Sequence, residues 1–379
     1  MILKHKSIVF FKIKIIASVY IVFTELIGSY INNDPKEKKF SDDLIIHIEN
    51  SINAGLPLYA VHGYCTDGGT AGAMIRFAVP EAGIIPLPYE ILNNSDWRKL
   101  LENLNWVGIV DLEPFNKNRI DWYIDHHLST VKKPINANKI RFDVNGDSGA
   151  WQLLLSSFLN PFPDKIVELA VMTRTTDTAG YITEPPTTSI DKLTDLDLTI
   201  LEGIEGRKQN EQRIWLLDDA WGSVETLKDQ LNLHNILASD GFIGLNKVLS
   251  RINKLRQFRA KGIEIADSLS INSDILIYSF KTDTIDKFGI TRRLQTRGAK
   301  VVISLSKTAN GYKISFRRNR ELSENENKNI QLNEIAALLN GGGHAGASGA
   351  FSETYENALT LIKKWALQKN LTISENTIN

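Results

Sequence analysis

The chain of 379 residues carries 44 basic and 44 acidic side chains, with 42% apolar and 23% charged residues. This is the balance of an ordinary globular protein long enough for two domains, and a formal charge of zero gives no global electrostatic case for nucleic-acid or membrane binding. The single cysteine, Cys65, excludes an internal disulfide and fits a reducing compartment, so a cytoplasmic location is expected.

The first 40 residues read as a tail. Lys4, Lys6, Lys12 and Lys14 precede an apolar run from Ile15 to Phe23 that Glu25 interrupts. A spanning helix takes roughly 20 apolar residues, and no small-residue cleavage site follows as in a signal peptide. The favoured reading is an appended segment or a misassigned start, with a signal or anchor as the alternative, and no stable membrane partner is expected.

Spacing predicts a helix over 42–52. The apolar run Leu56–Val61 has the character of a parallel strand and leads directly into His62-Gly63-Tyr64-Cys65-Thr66-Asp67-Gly68-Gly69. Small residues there let the next helix, over 71–77, pack close to the sheet. The glycine spacing fits neither G-x-G-x-x-G nor the GK[ST] phosphate loop. Further strands are expected over 83–89, over 106–110 ending at Asp111, and over 120–124 ending in Asp125-His126-His127. Helices are expected over 97–104, from a cap at Asp147 or Ser148, and over 165–172, with Thr176-Asp177-Thr178 in the loop beyond. This alternation predicts an α/β class with a doubly wound parallel sheet.

Residues 210–265 read as helical and mixed in charge. A second α/β unit then runs through strands over 274–279, 300–306 and 312–316 and helices over 285–296, 332–339 and 352–368, with a polar, frayed terminus. The expected division is a tail over 1–40, a catalytic domain over 41–209, a helical connector over 210–268 and a smaller substrate-binding domain over 269–370.

In open α/β sheets, ligands bind outside the carboxyl ends of the strands. His62 and Asp67 flank the first such end, Asp111 follows the second, and His126 and His127 follow the third. Carboxylates and imidazoles gathered in one crevice call for a cation, and mixed N/O donors suit Mn²⁺ or a similar ion better than structural Zn²⁺. Two ions about 3.5–4 Å apart could position water and stabilise a phosphoryl transition state. Any one of these residues alone reads more simply as a surface Asp or His, Arg317 alone as a solvated strand residue, and the glycine run alone as a flexible loop.

The order of the motifs is more specific than any single one. His62-x-x-Cys65-x-Asp67-Gly68, Asp111, Asp125-His126-His127, Thr176-Asp177-Thr178, Ser315-Phe316-Arg317 and Gly341-Gly342-Gly343-His344 resemble, in sequence order, the motifs of the DHH phosphoesterase superfamily and its associated C-terminal domain. The nanoRNase and cyclic-nucleotide phosphodiesterase branch is the most similar. The resemblance implies a metal-dependent phosphodiesterase using two Mn²⁺ ions, with Mg²⁺ or Co²⁺ as alternatives, on short oligonucleotides or cyclic (di)nucleotides, in a chain that could oligomerise. It implies that Asp67, Asp111, His126 and Asp177 hold one ion and His62 with Asp111 the other, Asp111 bridging. His127 would face the scissile phosphate, so that His127, Asp67 and Asp111 carry the catalysis. Arg317, Gly341, Gly342, Gly343 and His344 would bind substrate. Asp125 is expected to orient a neighbouring histidine. Cys65 stands where the commoner pattern has Asp. It is read as a small buried residue beside a looser ion, with a thiolate ligand as the alternative. The competing function is a catalytically degenerate nucleotide-binding or scaffold module.

Overall fold

The computed structural model describes residues 35–127, 130–131, 133–143, 148–177, 181, 183–193, 203–280, 286–308, 311–343 and 345–378. The readings made for residues 1–34, Asp147, Thr178 and His344 lie outside the described residues.

The chain divides into two units, one comprising residues up to 180 together with 224–247, the other 181–223 and 248–379. In the first, strands β1 (Leu58–His62), β2 (Gly83–Leu87), β3 (Trp106–Val110), β4 (Ile120–Asp125) and β5 (Ala137–Phe142) pair in the order β2-β1-β3-β4-β5. Every pairing is parallel. Helices α1 (Pro35–Asn53), α2 (Thr66–Ala78), α3 (Tyr89–Asn93), α4 (Ser95–Leu101), α5 (Gly149–Leu155) and α6 (Asp164–Asp177) join them. After α7 (Gly203–Gly222), which belongs to the second unit, α8 (Leu227–Asp240) returns to the first.

Parallel strands covered by helices are apolar along their whole length. Leu58, Tyr59, Ala60 and Val61 of β1 are all buried. Leu44 and Ile48 of α1, Ile85, Trp97, Trp106, Tyr123 and Leu227 close one core. Strand β5 went unread in the sequence because it is the sheet edge. Asn138, Lys139 and Ile140 are exposed, so no apolar run marks it. The strand order reverses between β1 and β3, and that reversal is where ligands bind in such sheets.

The first helix begins earlier than spacing suggested, at Pro35, so the boundary drawn at 40 falls inside it. Helix α2 also begins early, at Thr66, because Cys65 caps it, its Sγ accepting from the Gly68 amide at 3.1 Å. Asp67 and Gly68 therefore lie in the first turn of α2. Gly68 has to be glycine there, since a Cβ would sit 2.3 Å from the His62 carbonyl oxygen. Further along, a Cβ on Gly72 would lie 2.5 Å from Nε2 of His234, which is how closely α8 packs on α2.

The second unit holds β6 (Ile275–Phe280), β7 (Val301–Thr308), β8 (Gly311–Arg318), β9 (Gly342–Gly343), β10 (Ala347–Ser352) and β11 (Ile373–Ile378), ordered β11-β6-β7-β8-β10-β9. The β11, β6 and β7 pairings are parallel and the rest antiparallel. Its other helices are α9 (Leu249–Ser268), α10 (Lys287–Thr296), α11 (Glu324–Asn329), α12 (Leu332–Leu338) and α13 (Tyr355–Gln368). The terminus read as frayed is instead strand β11. Its backbone pairs along β6, and Asp274 accepts from the amide and hydroxyl of Thr372 just before it. Polar side chains hid it, because backbone pairing rather than burial holds an edge strand. Residues 210–268 divide between the units, with α8 in the first and α9 in the second. Buried Asp219 of α7 takes hydrogen bonds from Arg256 at 2.8 Å and Arg259 at 2.5 Å, both on α9. No helix among the described residues is long and apolar enough to cross a membrane.

Candidate metal centre

The residues singled out in the first unit converge at the carboxyl ends of β1, β3 and β4. Strand β1 delivers His62 and β4 delivers Asp125, with His126 and His127 directly after it. Asp111 follows β3 with a left-handed backbone, φ +59°, a conformation that Asp tolerates better than most residues. Asp67 comes from the first turn of α2. Asp177 comes from the last residue of α6 rather than from a loop, the helix running five residues past its expected end at 172.

Nε2 of His126 lies 3.4 Å from Oδ2 of Asp67, 3.3 Å from Oδ1 of Asp111 and 3.5 Å from Oδ2 of Asp177. These spacings exceed an ordinary N–H···O bond of about 2.9 Å. They match the donor–donor edges of about 3.0–3.5 Å around an ion with bonds near 2.1 Å. The other oxygen of Asp111, Oδ2, lies 3.4 Å from Nδ1 of His62 and 3.4 Å from Sγ of Cys65. Asp111 thus turns one oxygen to each of two donor groups: Asp67, His126 and Asp177 on one side, His62 and Cys65 on the other.

Supporting groups fix these side chains. Both oxygens of Asp67 accept backbone amides at the start of α5, Gly149 at 2.6 Å and Ala150 at 2.8 Å. Gly149 is closely fitted, since a Cβ there would meet Asp111 Cβ at 3.0 Å. Ser148 caps the helix, accepting from Trp151 at 3.1 Å. Asp125 is fully buried, and its oxygens accept from the Tyr123 hydroxyl, the Thr130 hydroxyl, the His127 amide and Nδ1 of His127, the last at 2.8 Å. Asp125 also lies close to Asp111, His126 and His127, but four donors already engage it. Two of these hydrogen bonds hold the backbone and ring of His127. The sequence reading offered Ser148 only as a helix cap, and the amides of Gly149 and Ala150 that hold Asp67 were not foreseen.

Electrostatics show what this crowding costs without a cation. Burial, then the Asp111 charge, raises Asp67 above the usual carboxylate range. Burial and then Asp67 push Asp177 up to about 8. Burial opposes charge on Asp111 as well, but hydrogen bonds from His126 and His62 outweigh it and hold Asp111 well below the ordinary value. Burial disfavours a charged His126, yet Asp111 and Asp67 overcome it and raise His126 to about 12. Burial likewise pushes the Cys65 thiol up. The mixed N/O donors fit a divalent ion.

In the second unit, Arg317 lies on β8 next to the β10 strand, donating to the Phe316 carbonyl at 2.9 Å and the Ser348 carbonyl at 3.2 Å. Gly342 and Gly343 form β9 and pair with Gly349 and Ser348. A Cβ on Gly341 would lie 2.1 Å from the Gly349 carbonyl oxygen, and Gly343 has φ +128°, whereas Gly342 faces open space. Close packing on β10 therefore accounts for two of the three glycines.

No protein-family model matches the chain, and neither does any curated protein sequence. Solved structures do match. A pGpG-specific phosphodiesterase, PggH from Vibrio cholerae, superposes with a TM-score of 0.52 at 15% identity, over 83% of this chain and 99% of its own. RecJ from Thermus thermophilus in complex with Mn²⁺ gives 0.52 at 16% identity, over 90% of this chain but 56% of RecJ. The DHH domain of a member of the S1p family of ribosomal proteins gives 0.52 at 14% identity, over 88% of this chain and 90% of its own. The chain has the fold of the DHH phosphoesterase superfamily.

Proposed function

We propose that the chain is a metal-dependent phosphoesterase that hydrolyses phosphodiester bonds of short oligonucleotides or cyclic (di)nucleotides with two divalent ions. The observation that carries this reading is the single nitrogen of His126 facing three carboxylates at 3.3–3.5 Å. One N–H serves one acceptor, whereas a cation at that point serves them all. On this reading Asp67, Asp111, His126 and Asp177 hold one ion and His62 with Asp111 holds the other. Mn²⁺ is the first choice, with Mg²⁺ and Co²⁺ as alternatives. The neighbours support it, one being named for pGpG and the other carrying Mn²⁺.

When bound, the ions supply Lewis-acid activation of water and charge neutralisation at phosphorus. The protein supplies placement. The amides of Gly149 and Ala150 lock the Asp67 carboxylate so that it meets its ion without reorganising. Asp125 fixes His127 through Nδ1, leaving the second ring nitrogen to contact the scissile phosphate. Burial disfavours charge on His127, but in the metal-free chain the Asp125 hydrogen bond and the Asp111 charge raise it to about 9, which favours the protonated ring. Arg317, with the Gly341–Gly343 backbone and His344, binds a substrate phosphate. A cytoplasmic location fits the lone cysteine.

The test is turnover of a dinucleotide and of a cyclic dinucleotide by the metal-depleted chain, with and without Mn²⁺, products being resolved by chromatography. Mn²⁺-dependent cleavage of either is expected. Failure to cleave both while two ions are bound would overturn hydrolysis and favour a nucleotide-binding module, for which Cys65 in place of a carboxylate is the supporting feature.

A further inference from the structure

Resting on the two-ion reading above, we infer that the two metal positions are chemically unequal and that Cys65 is a thiolate ligand of the second, which prefers Zn²⁺ or Co²⁺ to Mn²⁺ or Mg²⁺. The first position is built from hard oxygen donors of Asp67, Asp111 and Asp177 with one imidazole, His126. The second gathers Nδ1 of His62, Sγ of Cys65 and Oδ2 of Asp111, one donor each of nitrogen, sulfur and oxygen. Oxygen-rich sets suit Mn²⁺ and Mg²⁺, whereas a set containing thiolate selects softer ions.

The distances fit sulfur as a ligand, and in the metal-free chain the same 3.4 Å is spanned by the Cys65 thiol donating to Oδ2 of Asp111. A tetrahedral ion with bonds of about 2.1 Å to N and O and 2.3 Å to S sets N–O and S–O edges of about 3.4 and 3.6 Å. The observed separations from Asp111 Oδ2 are 3.4 Å to His62 Nδ1 and 3.4 Å to Cys65 Sγ. Three protein donors also leave the fourth tetrahedral position open, as catalytic rather than structural sites do.

Capping α2 does not by itself explain the residue, since Ser, Thr, Asp and Asn are the preferred caps. The cap does suit a thiolate. The Gly68 amide donates to Sγ at 3.1 Å, and the positive end of the helix favours a negative charge there.

The experiment titrates Co²⁺ into the reduced, metal-depleted full chain under argon and follows absorption. Binding at the second position is expected to produce a near-ultraviolet thiolate-to-cobalt charge-transfer band at up to one equivalent per chain. Cys65→Ser should abolish the band and weaken Co²⁺ and Zn²⁺ binding at one site by more than about tenfold, since even an outer-shell partner is worth that much. Cys65→Asp keeps a capping side chain. It should abolish the band, keep the helix by circular dichroism and favour Mn²⁺ over Zn²⁺ at that site. Two bound ions with no band in the parent chain, or an equal band in Cys65→Ser, would overturn the thiolate ligand and leave the two-ion reading standing. Failure of the parent chain to bind any divalent ion would overturn both.

Discussion

Replacing Asp111 by Asn tests the bridge between the two donor groups most directly. The amide is nearly isosteric, and Asn adopts the left-handed backbone at φ +59° as readily as Asp, so the fold should persist. What changes is charge. At an effective dielectric constant of about 20, two unit charges 4 Å apart interact by about 4 kcal/mol, and Asp111 turns an oxygen to each group. Even a loss of about 3 kcal/mol at one ion weakens it roughly a hundredfold, at about 1.4 kcal/mol per factor of ten. Asp111→Asn should therefore lose at least one metal equivalent after gel filtration in Mn²⁺, measured by mass spectrometry. Turnover should fall to about a thousandth or less, in line with the loss of electrostatic groups at reacting centres. Asp111→Ala is the contrast, since Ala in a left-handed position adds about 1–2 kcal/mol of strain to the lost charge. A folded Asp111→Asn protein holding two ions with near-parental turnover would refute the bridging role.

Arg317→Ala and His344→Ala should keep the full metal content while raising KM for the dinucleotide; loss of an ion in either would show that the residue serves the metal centre instead. Gly68→Ala should destabilise the protein by about 2 kcal/mol or more, seen as a fall in urea midpoint, because its Cβ would overlap the His62 carbonyl at 2.3 Å. The metal-free chain should lose thermal stability as pH rises from about 6.5 through 9, with His127 contributing alongside Asp177, whose folded value of about 8 acts in the same direction. Burial opposes charge on His127, but Asp125 and Asp111 raise its folded value to about 9, so its stabilisation is complete below 6.5 and lost above the folded value. Asp125→Asn should flatten that part of the profile in a calorimetric series, and an unchanged slope would remove His127 as its source.

Much of the first unit was readable because parallel strands buried on both faces are apolar throughout and end abruptly. Strands β1, β3 and β4 were marked by such runs, and His62, Asp111 and His126 stand where they stop. What stayed hidden depends on contacts distant in sequence. Strands β5 and β11 are edges whose pairing is made by the backbone, so side-chain patterning is silent about them. The placement of Asp67 in α2 required recognising a cysteine cap, an uncommon choice. Its partners Gly149 and Ala150 lie more than eighty residues away. Asp177 was identified, but α6 continues past residue 172, where the apolar spacing ends, as far as Asp177 itself. The glycine run suggested a phosphate cradle, while the space around Gly341 and the φ of Gly343 show a separate packing reason for two of its members.

Helix α8 gives the first unit a particular history during synthesis. Residues 224–247 complete it, with His234 seated against Gly72 and Leu227 in the core beside Leu44 and Trp97. Domains commonly fold in the order in which they leave the ribosome. Here residues 181–223, which belong to the second unit, must emerge before the first can be finished. A nascent chain halted near residue 209 would present α2 without α8, leaving the metal-site loop on an incomplete support and an apolar helix face open to chaperones.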